Sequence, residues 1–284
     1  MRAISNWATT ALVVIVGLAI LVWLVRWLEP RLAFFPFTGE TATPRNAGID
    51  YEPVTLTTSD GERLHAWHLM RPDARAEVVY FHGNGGNLSI WSDVFVGLWH
   101  QGFDVFAIDY RGYGLSTGAP SEQGLYRDVD ATLDFFGTRT RDRGRPVIYW
   151  GRSLGTVMAA YAASRRAPDG IVLESGFPSM RSVLEVNPIM WLLSWGSSYR
   201  LPTAEWMAGV RQPALVLHGD RDSVIPYHLG QRLYAALPGP KTFVSLPGGE
   251  HNEPVPPDAE SYWRAVREFT DSLVARPTSS SERR

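Results

Sequence analysis

Six short apolar runs recur along the second two thirds of the chain: "EVVYFHG" (77–83), "FDVFAIDYRG" (103–112), "PVIYWG" (146–151), "GIVLESG" (170–176), "PALVLHGD" (213–220) and "KTFVSLPG" (241–248). Their apolar residues are consecutive rather than alternating, the pattern of strands buried on both faces. Segments with helical spacing separate them, at 88–100, 121–136, 154–165, 227–237 and 258–274. Buried strands alternating with amphipathic helices can be assembled as a parallel sheet covered on both sides, with right-handed crossovers. Ahead of this series, "YEPVTLTTSDGERLHAWHLM" (51–70) reads as two half-exposed antiparallel strands around the turn Ser59-Asp60-Gly61. The expected fold is therefore α/β: a mostly parallel sheet of about eight strands with helices on both faces. A chain of 284 residues, 45% hydrophobic, suits one such domain with an appendage.

Two stretches depart from the alternation. "ATTALVVIVGLAILVWLV" (8–25) carries no charge and is bracketed by Arg2 and Arg26, with Trp7, Trp23 and Trp27 near its ends. A membrane-spanning helix needs about 20 apolar residues, and interfacial tryptophans suit its ends. A cleaved signal peptide would be shorter and followed by a small-x-small site; here "RWLEPRLAFFPF" follows. The expected layout is a transmembrane anchor over 1–28, a connector over 29–48, the α/β domain over 49–276 and a solvated tail over 277–284. The second departure lies between Gly176 and Gln212, where Trp191, Trp195, Tyr199 and Trp206 occur in a stretch too long for an ordinary connection. It reads as a small helical cap, about 177–211, with an aromatic surface.

Composition removes several function classes. The net charge is −2, and no basic patch with interleaved aromatics suggests nucleic acid. With no cysteine, disulfides, thiolate metal sites and cysteine nucleophiles are absent.

The third apolar run ends in "GRSLG" (151–155) and is followed directly by "TVMAAYAAS". Gly-x-Ser-x-Gly between a buried strand and a helix is the nucleophile elbow. A tight turn there lifts Ser153 above the sheet edge, and the Leu154 N–H, at the start of the helix, can face developing negative charge. The plain alternative is a serine that only caps a helix. A serine nucleophile needs a base, and the base needs an orienting carboxylate. In this strand–turn–helix context the chain order is Ser, then Asp or Glu, then His. "LHGDRDSVIP" (217–226) offers Asp220 and Asp222, and "PGGEHNEP" (247–254) offers His251. Asp222 lies further out on its loop and has more reach, whereas Asp220 suits bracing the turn. Among the other histidines, His65 and His68 lie in the early hairpin, His100 ends a helix, His228 lies within one, and His82 and His218 precede glycines at strand ends.

A second oxyanion donor is expected from "FHGNGGN" (81–87), at the N–H of Asn84. That loop lacks the Lys-Ser/Thr of a phosphate cradle and the spacing of a dinucleotide fingerprint. In "DYRGYGLSTG" (109–118), Asp109 and Arg111 read as turn braces rather than catalytic groups.

With these residues in view, the chain resembles the α/β-hydrolase superfamily, and most of all its membrane-anchored branch of hypothetical bacterial peptidases and eukaryotic protein depalmitoylases. The resemblance is carried by "FFPF", "FHGNGGN", "DYRGYGLSTGAPSE", "GRSLG", "HGDRDSVIP" and "GGEHN" and covers roughly residues 34–274. It implies Ser153 as nucleophile, Asp222 as acid and His251 as base, with no metal or cofactor. The expected activity is hydrolysis of carboxylic esters or thioesters, of small-molecule, lipid-like or protein-borne acyl groups, by a single-pass membrane protein. A peptidase or amidase with the same triad, or a silent membrane-tethered binding module, are the alternatives, because the fold does not settle the substrate.

Overall fold

The computed structural model describes residues 2–139, 144–253 and 255–275. The tail expected at 277–284 lies outside them. A long helix, α1 (Arg2–Ala33), leads into a two-residue strand, β1 (Phe35–Pro36), and a 3₁₀ turn (Pro44–Ala47). The hairpin β2 (Glu52–Thr57) and β3 (Arg63–Leu69) follows. Then come β4 (Ala76–Phe81), the two-residue β5 (Gly85–Gly86), α2 (Ser92–His100), β6 (Phe103–Ile108), α3 (Glu122–Arg139), β7 (Val147–Arg152), α4 (Leu154–Arg165) and β8 (Gly170–Glu174). Three short helices, α5 (Met180–Leu184), α6 (Pro188–Ser194) and α7 (Thr203–Met207), occupy the region expected to form a cap. The chain closes with β9 (Ala214–Gly219), α8 (Tyr227–Ala236), β10 (Lys241–Leu246) and α9 (Ala259–Val274).

Eight strands form one sheet in the order β2-β3-β6-β4-β7-β8-β9-β10. Only β2–β3 and β3–β6 pair antiparallel; the other pairs are parallel. β2 alternates buried and exposed residues as a half-covered edge strand should, while β4, β6, β8 and β9 are buried throughout. One face packs on Phe95 and Leu98 of α2 and on Tyr262, Val266 and Phe269 of α9. The other packs on Leu125 and Val129 of α3, Val157 and Met158 of α4, and Leu229 and Leu233 of α8.

Two features of this topology prepare a site. From β4 the sheet grows outward both ways, to β6 on one side and β7 on the other. The carboxyl ends of strands at such a switch point leave a crevice between diverging loops. The register then sets Phe81 of β4 beside Gly151 of β7, and Arg152 of β7 beside Glu174 of β8.

Some boundaries differ from the sequence expectation, each through a tertiary contact. α1 runs five residues past 28, through Pro30, because Glu29 is taken up by the N–H and hydroxyl of Ser198 (2.9 and 2.6 Å) and by Ser197. α2 begins at Ser92 rather than 88 because Leu88 gives its N–H to Asp109 (2.9 Å) and Asn87 accepts from Ile90 (3.2 Å), which turns the chain before the helix. The cap tryptophans divide: Trp206 packs on Tyr126 and Tyr161, whereas Trp191 and Trp195 are exposed.

Candidate active site

β7 passes into α4 with a single residue between them, Ser153, at φ 52° and ψ −117°. A non-glycine residue held there stores about 1–3 kcal/mol of strain. The bonds around it over-determine the turn: Ser153 N–H donates to Glu174 (2.9 Å), and its carbonyl accepts from the Thr156 N–H (3.0 Å) and hydroxyl (2.6 Å). Both flanking glycines are sterically required. A Cβ on Gly151 would collide with the Gly155 carbonyl, and one on Gly155 with the Phe81 carbonyl. The serine is thereby presented at the switch point, above the carboxyl end of β4.

The loop after β10 brings His251 to it. Nε2 lies 3.0 Å from Ser153 Oγ, and Nδ1 lies 2.7 Å from Asp222 Oδ2. A carboxylate only accepts, so Nδ1 carries the proton and Nε2 presents its lone pair to the hydroxyl. The other Asp222 oxygen accepts from the N–H groups of Val224 (3.0 Å) and Ile225 (2.7 Å). Burial alone would raise the Asp222 carboxyl. The hydrogen bond and charge of His251, then the Ile225 N–H and His218, outweigh it and hold the carboxyl below its ordinary value. Asp220 does different work, accepting the Gly248 N–H (2.7 Å) and so tying the two loops together.

Leu154 and Asn84, the expected oxyanion donors, both line the cleft beside Ser153. Among the described residues, neither backbone N–H donates to another protein group. The cleft has a volume of about 640 Å³ and is walled by Phe35, Phe37, Trp91, Phe177, Met180 and Ile225 among others. No carboxylate lines it among the described residues.

The other histidines are not brought to Ser153. His68 pairs with buried Asp104 (2.6 Å), and His65 lies 3.8 Å from Glu40. His82 donates from Nδ1 to the Gly83 carbonyl (2.7 Å) and stacks beside Trp91. His218 donates from Nε2 to the Ile225 carbonyl (2.8 Å), 3.5 Å from Asp222; burial holds it below its ordinary value. Asp109 supports the Asn84 loop through the Leu88 N–H, and Arg111 is bound between Asp60 and Asp128, 2.8 Å from each. Neither Asp109 nor Arg111 lines the cleft.

Sequence reasoning missed a further set of residues beside the site, of which Arg152 also lines the cleft. Arg152, buried, donates to the carbonyls of His251 (2.9 Å) and Glu253, lies 3.5 Å from Glu174 and sits over the Trp91 ring. Glu174 in turn accepts from Trp150 (3.0 Å) and Tyr262 (3.2 Å). Burial opposes the Arg152 charge, but Glu174 together with Tyr80, Tyr262 and Asp222 outweighs it and holds the guanidinium above its ordinary value. The unspecified position inside Gly-x-Ser-x-Gly thus holds the histidine loop. The one visible signal was an arginine at the end of an otherwise apolar strand.

Comparison with known proteins bears on this geometry. A family model described as serine aminopeptidase, S33, matches residues 72–210, a stretch that contains Ser153 and ends before Asp222 and His251. An alpha/beta hydrolase domain-containing protein of Arabidopsis thaliana is 31% identical over 291 residues, covering 92% of each chain. An uncharacterized membrane protein of Saccharomyces cerevisiae is 33% identical over 235 residues, covering 80% of this chain and 82% of its own. Among solved structures, an esterase of Pyrococcus furiosus superposes with a TM-score of 0.70 at 18% identity, covering 84% of this chain and 97% of that one. At that identity the likeness is one of fold.

Proposed function

Because the chain belongs to the α/β-hydrolase superfamily and is a hydrolase of that fold, we propose that it cleaves carboxylic esters or thioesters through an acyl-enzyme on Ser153. The observation that carries this reading is the unbroken path from Ser153 to His251 (3.0 Å), both lining the cleft, and on to Asp222 (2.7 Å) behind them. His251 Nε2 takes the hydroxyl proton as Oγ attacks the acyl carbonyl, and Asp222 steadies the imidazolium. The N–H groups of Leu154 and Asn84 receive the oxyanion. His251 then returns the proton to the departing alkoxide or thiolate. Water, activated by the same histidine, releases the acid.

The cleft wall supports an apolar acyl group, lipid-like or carried by a protein, as the part of the substrate that is recognised. The family description also raises an aminopeptidase reading. Such an enzyme must hold a free α-ammonium, and the absence of a carboxylate among the described lining residues argues against it. Residues 1–28 serve in this reading as a membrane anchor, 29–48 as connector and 49–276 as the catalytic domain with its cap at about 177–211. Supporting this, the most apolar 18-residue stretch within Trp7–Arg31 has a mean hydropathy of 2.7 and none of it is buried, and a yeast relative is named a membrane protein.

Labelling by a fluorophosphonate probe tests the nucleophile. Wild-type protein in detergent is expected to label and Ser153→Ala is not; equal labelling of both would remove Ser153 from the mechanism. Turnover of p-nitrophenyl acyl esters against aminoacyl p-nitroanilides then separates the two substrate readings.

A further inference from the structure

The loop that carries Asn84 leaves the central sheet at Phe81. On one side the segment after β6 holds it: the Tyr110 hydroxyl donates to the His82 carbonyl (3.0 Å), the Tyr113 hydroxyl to the Asn84 carbonyl (2.9 Å) and Oδ1 (3.0 Å), and Asp109 accepts the Leu88 N–H. On the other side it is tied to the segment that emerges from α1. Asn84 Nδ2 donates to the carbonyl of Ala33, the last residue of that helix (2.6 Å), and Asn84 Oδ1 accepts the Phe35 N–H (3.3 Å). β1 then pairs with β5, Phe35 with Gly85 and Pro36 with Gly86, and the Phe37 N–H donates to Gly86 (3.0 Å). Asn87 Nδ2 donates to the carbonyls of Gly39 (2.8 Å) and Phe37 (3.3 Å). On its far side the segment is held by Gly114, whose N–H donates to Phe37 and whose carbonyl accepts from Gly39 (both 2.8 Å).

We infer that residues 33–39 are a working part of the oxyanion site: a strap that sets the position of the Asn84 N–H, with the side chains of Asn84 and Asn87 as positioning residues. The inference rests on the acyl-enzyme reading above. Its physical basis is the sensitivity of an oxyanion donor to distance, since stabilisation requires it about 2.7–3.1 Å from the developing charge. Only Phe34 separates α1 from β1, so the chain leaving the proposed membrane anchor is the chain that aims the donor. Glu29, clamped to Ser197 and Ser198 of the cap, secures the same helix end from the other side.

Asn87 gives the cleaner test, because it does not line the cleft. Asn87→Asp keeps the acceptor for Ile90 and loses both donors to the strap. Asn84→Ala removes the two ties to the helix end, along with the bond from the Tyr113 hydroxyl to Oδ1 (3.0 Å), and leaves its own backbone N–H in place. Each full-length variant, in nanodiscs, is assayed with p-nitrophenyl butyrate and with a trifluoromethyl ketone of the same acyl chain, which forms a hemiketal oxyanion on the serine. The expected result is a kcat lower by about tenfold or more, with ketone affinity weaker by the same factor. KM, the pH profile of kcat/KM and Tm should hold. A variant that keeps wild-type kcat and ketone affinity overturns the inference. So does a loss of kcat accompanied by a moved pH profile, which would mean that the whole site has shifted. If one variant fails to fold, the other decides. Ser153→Ala is run alongside. Full turnover in it would defeat the acyl-enzyme reading and this inference together, whereas a dead Ser153→Ala beside a fully active Asn87→Asp defeats only the strap.

Discussion

Ser153, His251 and Asp222 sit in three loops, yet each is held by bonds that leave it little freedom. Asp222 binds His251 with one oxygen and two backbone N–H groups with the other, so its loss should be felt in both orientation and charge. Asp222→Asn is expected to lower kcat by about 10⁴-fold, the scale seen when a triad carboxylate becomes an amide and the wrong tautomer is favoured. Asp220→Asn should cost little by comparison, since its role is to accept from Gly248; steady-state kinetics of the pair checks this. A pH effect accompanies it. The folded-state pKa of Asp222 is depressed below its ordinary 3.8, so its stabilisation is present above that value and lost as pH falls through the folded value. Melting curves from pH 6 down to about 2 should fall less steeply at the acid end for Asp222→Asn than for the wild type. Apart from the family resemblance, Asp220 and Asp222 were separable in the sequence only by reach along one loop. Their hydrogen-bond partners, 28 and 29 residues away, separate them by chemistry.

At the scale of elements, the β7–α4 turn joins more than a strand to a helix. Arg152 links the end of β7 to the His251 loop and to Glu174 on β8. Removing one member of a buried ion pair typically costs about 3–5 kcal/mol, because the other charge is left uncompensated. Arg152→Met should therefore lower unfolding free energy by about that amount in urea titrations, and Arg152→Met with Glu174→Gln should recover much of it. The elements themselves were readable in advance because burial on two faces writes continuous apolar runs. The ends of α1 and α2 were not, because Glu29 and Leu88 find their partners on segments distant in the chain. In the same way Trp206 and Trp195 are alike in sequence but opposite in exposure. Only the packing of α7 on α3 and α4 gives one of them an aromatic pocket.

For the whole molecule, none of the most apolar stretch of α1 is buried against the rest of the fold. The exposed apolar length of α1 adds nothing to either core cluster. Deleting residues 1–28 is expected to move the protein from the membrane to the soluble fraction with Tm within a few degrees and fluorophosphonate labelling intact. Fractionation, calorimetry and labelling read the three outcomes, and an aggregated product would mean that α1 belongs to the core. Deletion beyond 39 is a different matter, since it removes the strap from the Asn84 loop. By itself the sequence determined the class of fold, the elbow around Ser153 and the short set of residues that could serve beside it. These are local properties, carried by apolar periodicity and by glycines that a tight turn demands. Only the tertiary structure decided that Arg152 holds a carbonyl 99 positions away, and that Asn84 is tied to a helix end 51 positions before it. Contacts of that separation follow from strand order and register, which no local pattern encodes.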